Sequence, residues 1–171
     1  MNLAKAIESA PGGILMLDGA MGTMAAARGL TKPGEIADYL VLTNPQAITD
    51  IHASYVAAGS DILRTCTFNA NARNLGDRAR VADIYAGAVQ CARNAGVQWV
   101  AGAIGPLGEM IEPFGDIEED EALDLFAELA DPARPYQKHD KCDDQHDQDR
   151  QNEIDSIFVQ KGSVHITLRI L

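Results

Sequence analysis

Three short apolar segments, each followed by a polar or glycine-containing loop and then by a helical pattern, most limit how this chain can fold. They lie at 14–17, 61–65 and 98–104, a spacing of roughly 40 residues. Runs of this length suit strands that are buried on both faces. Strands that alternate with helices predict a parallel sheet with right-handed crossovers. The sequence therefore predicts an α/β fold, either an open doubly wound sheet or a (β/α)8 barrel.

Two of the predicted helices carry clear end signals. The pattern over 44–58 begins with an Asn-Pro pair, which suits the N-cap and the first helical position, and it stops before Gly59. A second helix is predicted over 81–94. Asp116 and Glu119 have the spacing of a capping box at the start of a third helix.

The loop after the first apolar segment is the best candidate for a binding site. Asp18 ends the segment, and 19–23 reads GAMGT. The carboxylate can accept from an ammonium, and backbone N–H groups freed by Gly19 and Gly22 can converge on a carboxylate or phosphate. The simpler interpretation is a plain βα turn in which Asp18 caps the next element of the chain. No Lys comes after the glycines, so the loop is not a P-loop.

The loops at 65–74 and 105–116 follow the second and third strands at the same ends. Both architectures place their sites at the carboxyl ends of parallel strands. The first strand lacks a G-x-G-x-x-G fingerprint, which leaves a dinucleotide unsupported and favours the barrel. The connection at 25–40 and the polar stretch at 67–77 are predicted to be irregular.

Composition argues against several function classes. The net charge of −11 argues against nucleic acid and anionic membranes as partners. No apolar run approaches the roughly 20 residues of a membrane helix, and no secretory signal is evident at the N-terminus. Three widely spaced cysteines indicate a reducing compartment, so we expect a cytoplasmic protein.

The chain changes character after Ala130. We divide it into a βα portion at 1–130, a polar linker at 131–153 and a short β-like tail at 154–171. Residues 137–153 include no aliphatic or aromatic side chain, so the linker is predicted to be disordered. The tail alternates apolar and polar residues, which is typical of a strand or hairpin arm, and nothing in it continues the βα repeat.

Isolated side chains of reactive types are interpreted mainly as structural. The cysteines in the βα portion are predicted to be packing residues, and His52 a surface or second-layer residue. An acidic group after the third strand is predicted to be a solvated loop, with ammonium binding as the alternative. A His/Cys/His group in the linker would share one helical face and could bind zinc or nickel, but no apolar stripe orders that segment. The two cysteines are Cys66 and Cys91. The acidic group consists of Glu109, Glu112 and Asp116, and the His/Cys/His group of His139, Cys142 and His146.

Three blocks together resemble the homocysteine S-methyltransferase family, which includes the homocysteine module of cobalamin-dependent methionine synthase and the betaine-dependent enzymes. They are LDGAMGTM at 17–24, the stretch NPQAITDIHASYVAAGSDILRTCTFNAN at 44–71, and VAGAIGPLGEMIEPFGDI at 100–117. The resemblance covers about residues 10–130. It implies a partial (β/α)8 barrel, about the first three βα units, that binds homocysteine at the carboxyl ends of its strands. In the family a zinc ion holds the substrate thiol as a thiolate, whose sulfur attacks a methyl donor.

The resemblance also implies site residues. The first loop lies against homocysteine in the family, and the usual T-N-T-F of the second loop reads TCTF here, with Cys66 in place of an Asn. The third exit loop matches at its glycines and proline. The implied substrate-binding residues are Asp18, Gly19, Thr23, Thr67 and Asn69, with Phe68, Gly105, Pro106 and Gly108 in the matching loops.

The family's zinc ligands have no counterpart in this sequence. Three cysteines from later strands hold the metal, and Cys66, Cys91 and Cys142 match none of them. We therefore expect a truncated homocysteine S-methyltransferase that binds no zinc and is inactive alone, with an unidentified methyl donor. The alternative is a non-catalytic module that binds a small amino acid or self-associates through its open sheet edges.

Overall fold

The computed structural model describes residues 3–130 and the backbone of two strands near the C-terminus. The helices are α1 Leu3–Ser9, α2 Met21–Ala27, α3 Leu40–Thr43, α4 Pro45–Ala57, α5 Ala72–Leu75, α6 Ala79–Asn94 and α7 Glu119–Ala130. Short 3-10 turns span Pro11–Gly13 and Ala37–Tyr39. The strands are β1 Ile62–Arg64, β2 Trp99–Gly102, β3 Ile157–Gln160 and β4 His165–Ile170.

The central pair of strands is parallel, as predicted. Strand β1 pairs with β2 in a register that places Ile62 opposite Trp99. Strand β4 runs antiparallel on the other side of β2, and β3 pairs antiparallel with β4, so the order is β1-β2-β4-β3. The α/β class and the second and third predicted strands are confirmed. A partial (β/α)8 barrel remains a prediction.

The first predicted strand, 14–17, is wrong as a strand: it contributes one parallel bridge between Leu17 and Ile62. Its side chains are not buried on both faces, since Ile14 is 63% exposed and Met16 58%. The Met16 N–H donates to the Asp61 carboxylate at 2.8 Å instead of to a strand carbonyl. The segment still lies parallel to β1, with Asp18 directly after its bridge.

The two helices with clear end signals form where they were predicted. The Asn44 side chain accepts a hydrogen bond from the Ala47 N–H at 3.4 Å, and α4 starts at Pro45. Gly59, just after this helix, has a φ of 99°, which favours glycine. Helix α6 ends at Asn94. The capping box was wrong, because α7 begins at Glu119 itself and not directly after Asp116.

Short helices occur in both stretches that were predicted to be irregular. Helix α2, with the sequence MGTMAAA, begins inside the glycine loop and enters the 25–40 connection, which also holds the start of α3. Helix α5 lies within 67–77, capped by the Asn71 side chain, which accepts from the Asn74 N–H at 2.9 Å. These helices span only four to seven residues, less than the roughly 11–18 residues over which a helical pattern can be recognised in a sequence.

The core lies between the parallel strands and the two long helices. Helices α4 and α6 pack against one another and against the sheet. Their apolar faces are fully buried, as is the middle of β1; the residues are Ile48, Ile51, Ile84 and Leu63. Within the described part of the chain, no helix is both long and apolar enough to span a bilayer.

The domain division stays a prediction. Strand β4 coincides with the alternating segment of the tail. The polar linker and its group of His139, Cys142 and His146 lie outside the described residues.

Substitution of Gly105 tests how closely the second and third loops pack against each other. A methyl group at this position would collide with the carbonyl oxygen of Phe68. We expect Gly105→Ala to lower the free energy of unfolding by about 1–3 kcal/mol, measured by urea denaturation. The control is Gly22→Ala in α2, where an added Cβ meets nothing within 4 Å. It should be neutral or stabilise by about 0.5–1 kcal/mol. Equal effects of both substitutions would contradict the packing argument.

Candidate functional site

Asp18 lies at the carboxyl end of the first parallel segment, beside the end of β1. Its backbone N–H donates to the Ile62 carbonyl at 3.1 Å. Its side chain is only 2% exposed. A buried carboxylate is costly unless its oxygens are satisfied, so the partners of Asp18 define this part of the site.

Arg64, the last residue of β1, provides those partners. Its Nε donates to Asp18 Oδ1 at 2.8 Å, and its backbone N–H donates to Oδ2 at 3.1 Å. Its Nη2 donates to the carbonyls of Asp18 and Gly19, both at 2.9 Å. One arginine thus holds both the carboxylate and the backbone of the first loop. The sequence analysis did not identify Arg64 as a site residue. The available signal was a charged residue at the end of an otherwise apolar strand.

Burial and the ion pair act on Asp18 in opposite directions. Burial raises the pKa of Asp18 above its ordinary value, while the hydrogen bonds and charge of Arg64 act to lower it. Burial is the larger effect. The arginine therefore offsets part, but not all, of the cost of keeping an ionised carboxylate at this position.

His52 lies behind Asp18 on α4. It is 0% exposed, so the surface alternative was wrong. The physical reason is that His52 shares the buried face of α4 with Ile48 and Ile51, at helical spacing. Its Nδ1 is 3.9 Å from Asp18 Oδ2, too far for a hydrogen bond. Neither ring nitrogen has a hydrogen-bond partner among the described residues. Burial lowers the pKa of His52 to about 4, so the ring is neutral at pH 7.

Thr65 and Thr67 connect the end of β1 to the end of β2. Their hydroxyls are 2.7 Å apart. The Thr67 hydroxyl donates to the Ala103 carbonyl at 2.7 Å, and the Ala103 N–H donates to the Thr65 hydroxyl at 2.9 Å. Thr67 is buried, and this network uses its hydroxyl.

Asn69 is held by a buried aspartate that sequence reasoning missed. Its backbone N–H donates to Asp38 Oδ1 at 2.9 Å. Asp38 is buried in the 3-10 turn within the 25–40 connection, and burial raises its pKa. Because that connection was predicted to be irregular, no sequence pattern pointed to a buried carboxylate there.

Gly19 and Thr23 differ in their surroundings. A Cβ on Gly19 would lie 2.8 Å from the Tyr55 ring, whose hydroxyl donates to the Ala20 carbonyl at 3.1 Å, so the loop needs a glycine there. Thr23 is exposed on α2. The structure thus brings together Asp18, Gly19 and, through the end of β1, Thr67. Asn69 lies further along the second loop.

The acidic residues after β2 lie at the surface. Glu109 pairs with Arg73, which also donates to Glu121 at 2.7 Å. Glu112 and Asp116 are exposed. This arrangement agrees with a solvated acidic loop more than with an ammonium site.

The described residues do not fit a zinc ion. Residues 3–130 hold no group of three or more His, Cys, Asp or Glu side chains that could bind a metal. Cys66 and Cys91 are both buried and free. Burial, followed by the charges of Asp38 and Cys91, raises the pKa of the Cys66 thiol, which disfavours the thiolate that a metal needs.

A cleft lies at the opposite ends of the strands. It has a volume of about 330 Å³, and its lining includes Ala10, Val56, Asp61 and Trp99. These residues precede or begin β1 and β2, or flank them. Asp61 already accepts from the Met16 N–H, and no pair of charged groups converges there. In parallel α/β folds the amino ends of strands serve stability more than chemistry. The cleft is therefore not the preferred site.

Thr67→Val tests whether the threonine network joins the strand ends. We expect a loss of about 1–3 kcal/mol in unfolding free energy, because Val leaves buried polar groups without partners. Thr23→Val is the matched control and should change stability by less than about 0.5 kcal/mol, since Thr23 is exposed. Urea denaturation of both variants is the measurement. An unchanged free energy of unfolding in Thr67→Val would contradict the network.

The buried His52 ring predicts how the free energy of unfolding changes with pH. Well above pH 6.5 the ring is neutral in both the folded and the unfolded chain. As the pH falls from 6.5 towards 4, the unfolded chain binds a proton that the buried ring does not, so stability is lost. The loss from His52 should approach about 3 kcal/mol near pH 4. The raised pKa of Asp18, which faces His52, acts in the opposite sense.

The comparison with His52→Gln separates these effects, because Asp18 is common to both proteins. Urea unfolding at pH 7, 6 and 5 should show a smaller acid loss of stability in the variant. The same pH dependence in both proteins would contradict the assignment to His52.

Two known proteins are similar to this chain in sequence. The chain is 32% identical to methionine synthase of Mycobacterium tuberculosis, over 68% of this chain and 11% of that protein. It is 34% identical to homocysteine S-methyltransferase of Escherichia coli, over 56% of this chain and 36% of that protein. The chain thus spans well under half the length of these relatives.

Solved structures show the same relationship. The oxidized form of the homocysteine methyltransferase MmuM from Escherichia coli superposes with a TM-score of 0.54 at 29% identity, covering 63% of this chain and 42% of that one. Its metallated form gives the same TM-score at 28% identity, over 62% and 42% of the two chains. The family model described as homocysteine S-methyltransferase matches residues 15–143. This chain belongs to the homocysteine S-methyltransferase family.

Proposed function

We propose that residues 15–130 form the homocysteine-binding side of a homocysteine S-methyltransferase barrel, with the ligand at the carboxyl ends of the strands. The observation that carries this proposal is the continuous set of contacts across those ends. Asp18 contacts Arg64, the adjacent Thr65 contacts Thr67, and Thr67 contacts the Ala103 carbonyl. Sites in parallel α/β folds are built at these ends.

Within this proposal the residues have distinct roles. Asp18 and Gly19 shape the loop against the ligand, and Thr23 closes that loop from α2. Thr67 and Asn69 set the second loop. The contacts of Asp18 and Thr67 are internal, which supports roles in positioning the loops, whereas Gly19 and Thr23 are exposed to a ligand.

The family reaction transfers a methyl group to the thiol of homocysteine. The sulfur forms a bond to the methyl carbon, the bond from that carbon to the donor breaks, and the donor keeps its electron pair. A free thiol with a pKa near 8.5 is mostly protonated at neutral pH, so the sulfur needs activation. Zinc supplies that activation in the family by holding the thiolate.

The described residues contain binding features but no means of activating the sulfur. Cys66 and Cys91 are buried, and residues 3–130 lack a metal-binding group. We therefore propose that this chain binds the small-molecule substrate and transfers little or no methyl group by itself. The lack of nucleic-acid or membrane partners belongs to the same proposal and rests on the net charge of −11. Cytoplasmic location is proposed from the three widely spaced cysteines.

One observation favours the alternative of a self-assembling module. The edge beside the Leu17 bridge carries exposed apolar side chains, with Ile14 at 63% and Met16 at 58%. Such an edge can pair with another chain. Light scattering after gel filtration distinguishes the two: a concentration-dependent dimer supports assembly, and a monodisperse monomer contradicts it.

The proposed function predicts binding without turnover. The purified chain should give no methionine above background from L-homocysteine with S-methylmethionine, betaine or methyltetrahydrofolate, measured by mass spectrometry. The homocysteine S-methyltransferase of Escherichia coli, the relative that is 34% identical, provides a positive control. Methionine formation that a chelator abolishes would contradict the inactive form.

Calorimetry with L-homocysteine tests binding itself. We expect a heat of binding that is weakened by Asp18→Asn, because the first loop loses its ion pair with Arg64. Asp50→Asn is the matched control, since Asp50 is exposed on α4 and its side chain bonds only Gln46 among the described contacts. It should leave the heat unchanged. No heat with the unmodified chain would refute the binding role.

A further inference from the structure

The charge presented to a ligand at the first loop is that of Arg64 and not that of Asp18. The Asp18 side chain is 2% exposed and both of its oxygens accept from Arg64. The Arg64 side chain is 26% exposed. A ligand that approaches the end of β1 therefore meets a guanidinium before it meets a carboxylate.

The hydrogen bonds of Arg64 leave one side of the guanidinium available. Its Nε is engaged by Asp18 Oδ1, and its Nη2 by two backbone carbonyls. Its Nη1 has no hydrogen bond among the described residues. A guanidinium is planar and rigid, so three bonds from Nε and Nη2 fix the direction in which the Nη1 donors lie. Asp18 and the first loop thus hold the Nη1 donors in one orientation, on a side chain that is 26% exposed.

We propose that Arg64 binds the α-carboxylate of the amino-acid ligand, with Asp18 as the positioning residue that holds the guanidinium. This inference rests on the proposed function and assigns one end of the ligand. An oriented guanidinium is well matched to a carboxylate oxygen, and hydrogen bonds between two charged groups are stronger than neutral ones.

This assignment changes the interpretation of the first loop. Sequence reasoning placed a ligand ammonium on Asp18, yet in the structure the Arg64 side chain occupies that role. The polarity of the site is therefore reversed: the loop offers a cation, and the ligand supplies the anion. The ammonium and sulfur of the ligand would extend away from Arg64.

The test compares two ligands on the unmodified chain. L-methionine and 3-(methylthio)propylamine differ only in the carboxylate. Calorimetry should show methionine binding at least about tenfold more tightly, the effect of losing one charge-assisted hydrogen bond. This comparison needs no substitution, so it does not depend on the folding of a variant.

Variants then assign the effect to Arg64. Arg64→Gln should remove most of the roughly tenfold preference for methionine over the amine, whatever it does to the affinity for the amine itself. Arg64→Lys keeps the charge but loses the planar donors, and should recover only part of that preference. The control Arg73→Gln removes a surface arginine that pairs with Glu109 and Glu121, and should change neither affinity.

The outcomes separate this inference from the proposed function. Equal affinity of the unmodified chain for methionine and the amine would overturn the role of Arg64 and leave the binding function standing. Binding of neither ligand would overturn both. An unchanged preference for methionine over the amine in Arg64→Gln would also overturn the carboxylate assignment, because it would show that the arginine only shapes the loop.

Discussion

The ion pair between Asp18 and Arg64 is the interaction on which the site depends. It joins residues 46 positions apart and connects the first loop to the end of β1. The aspartate would be costly to bury alone, and the arginine satisfies both its carboxylate and two backbone carbonyls of the loop. The first parallel segment is joined to the start of β1 by the Leu17 bridge and by backbone hydrogen bonds that connect Met16 and Asp18 to residues 61–62. The side-chain pair adds to these bonds at the point where the first loop begins.

Buried hydroxyls and glycines allow the loops at this end of the sheet to pack closely against one another. The Thr65 and Thr67 hydroxyls connect the first described strand to the Ala103 backbone beyond β2. Gly105 lies against the Phe68 carbonyl, and Gly19 lies against the Tyr55 ring. A side chain at either glycine would separate the loops. Small residues and internal hydrogen bonds thus bring three consecutive loops to one edge, where we propose that the ligand binds.

Features with local causes were predictable from the sequence. The bounds of α4 and α6 follow from an Asn-Pro start and from glycines beyond their ends, and the family was evident from three short blocks. The Asp18 and Arg64 contact was not predictable, because nothing in local sequence shows which distant side chain meets a buried carboxylate. The burial of His52 required knowing which face of α4 meets the first loop. The first strand failed because its apolar residues remain exposed.

A double-mutant cycle between Asp18 and Arg64 tests the central claim most directly. Urea unfolding of the unmodified chain, Asp18→Asn, Arg64→Gln and the double variant yields the coupling free energy of the two side chains. We predict a coupling of roughly 1–3 kcal/mol, because each single substitution leaves the other group without its charged partner. Effects that add to within about 0.5 kcal/mol would show that the pair does not hold the site together, and would contradict the account.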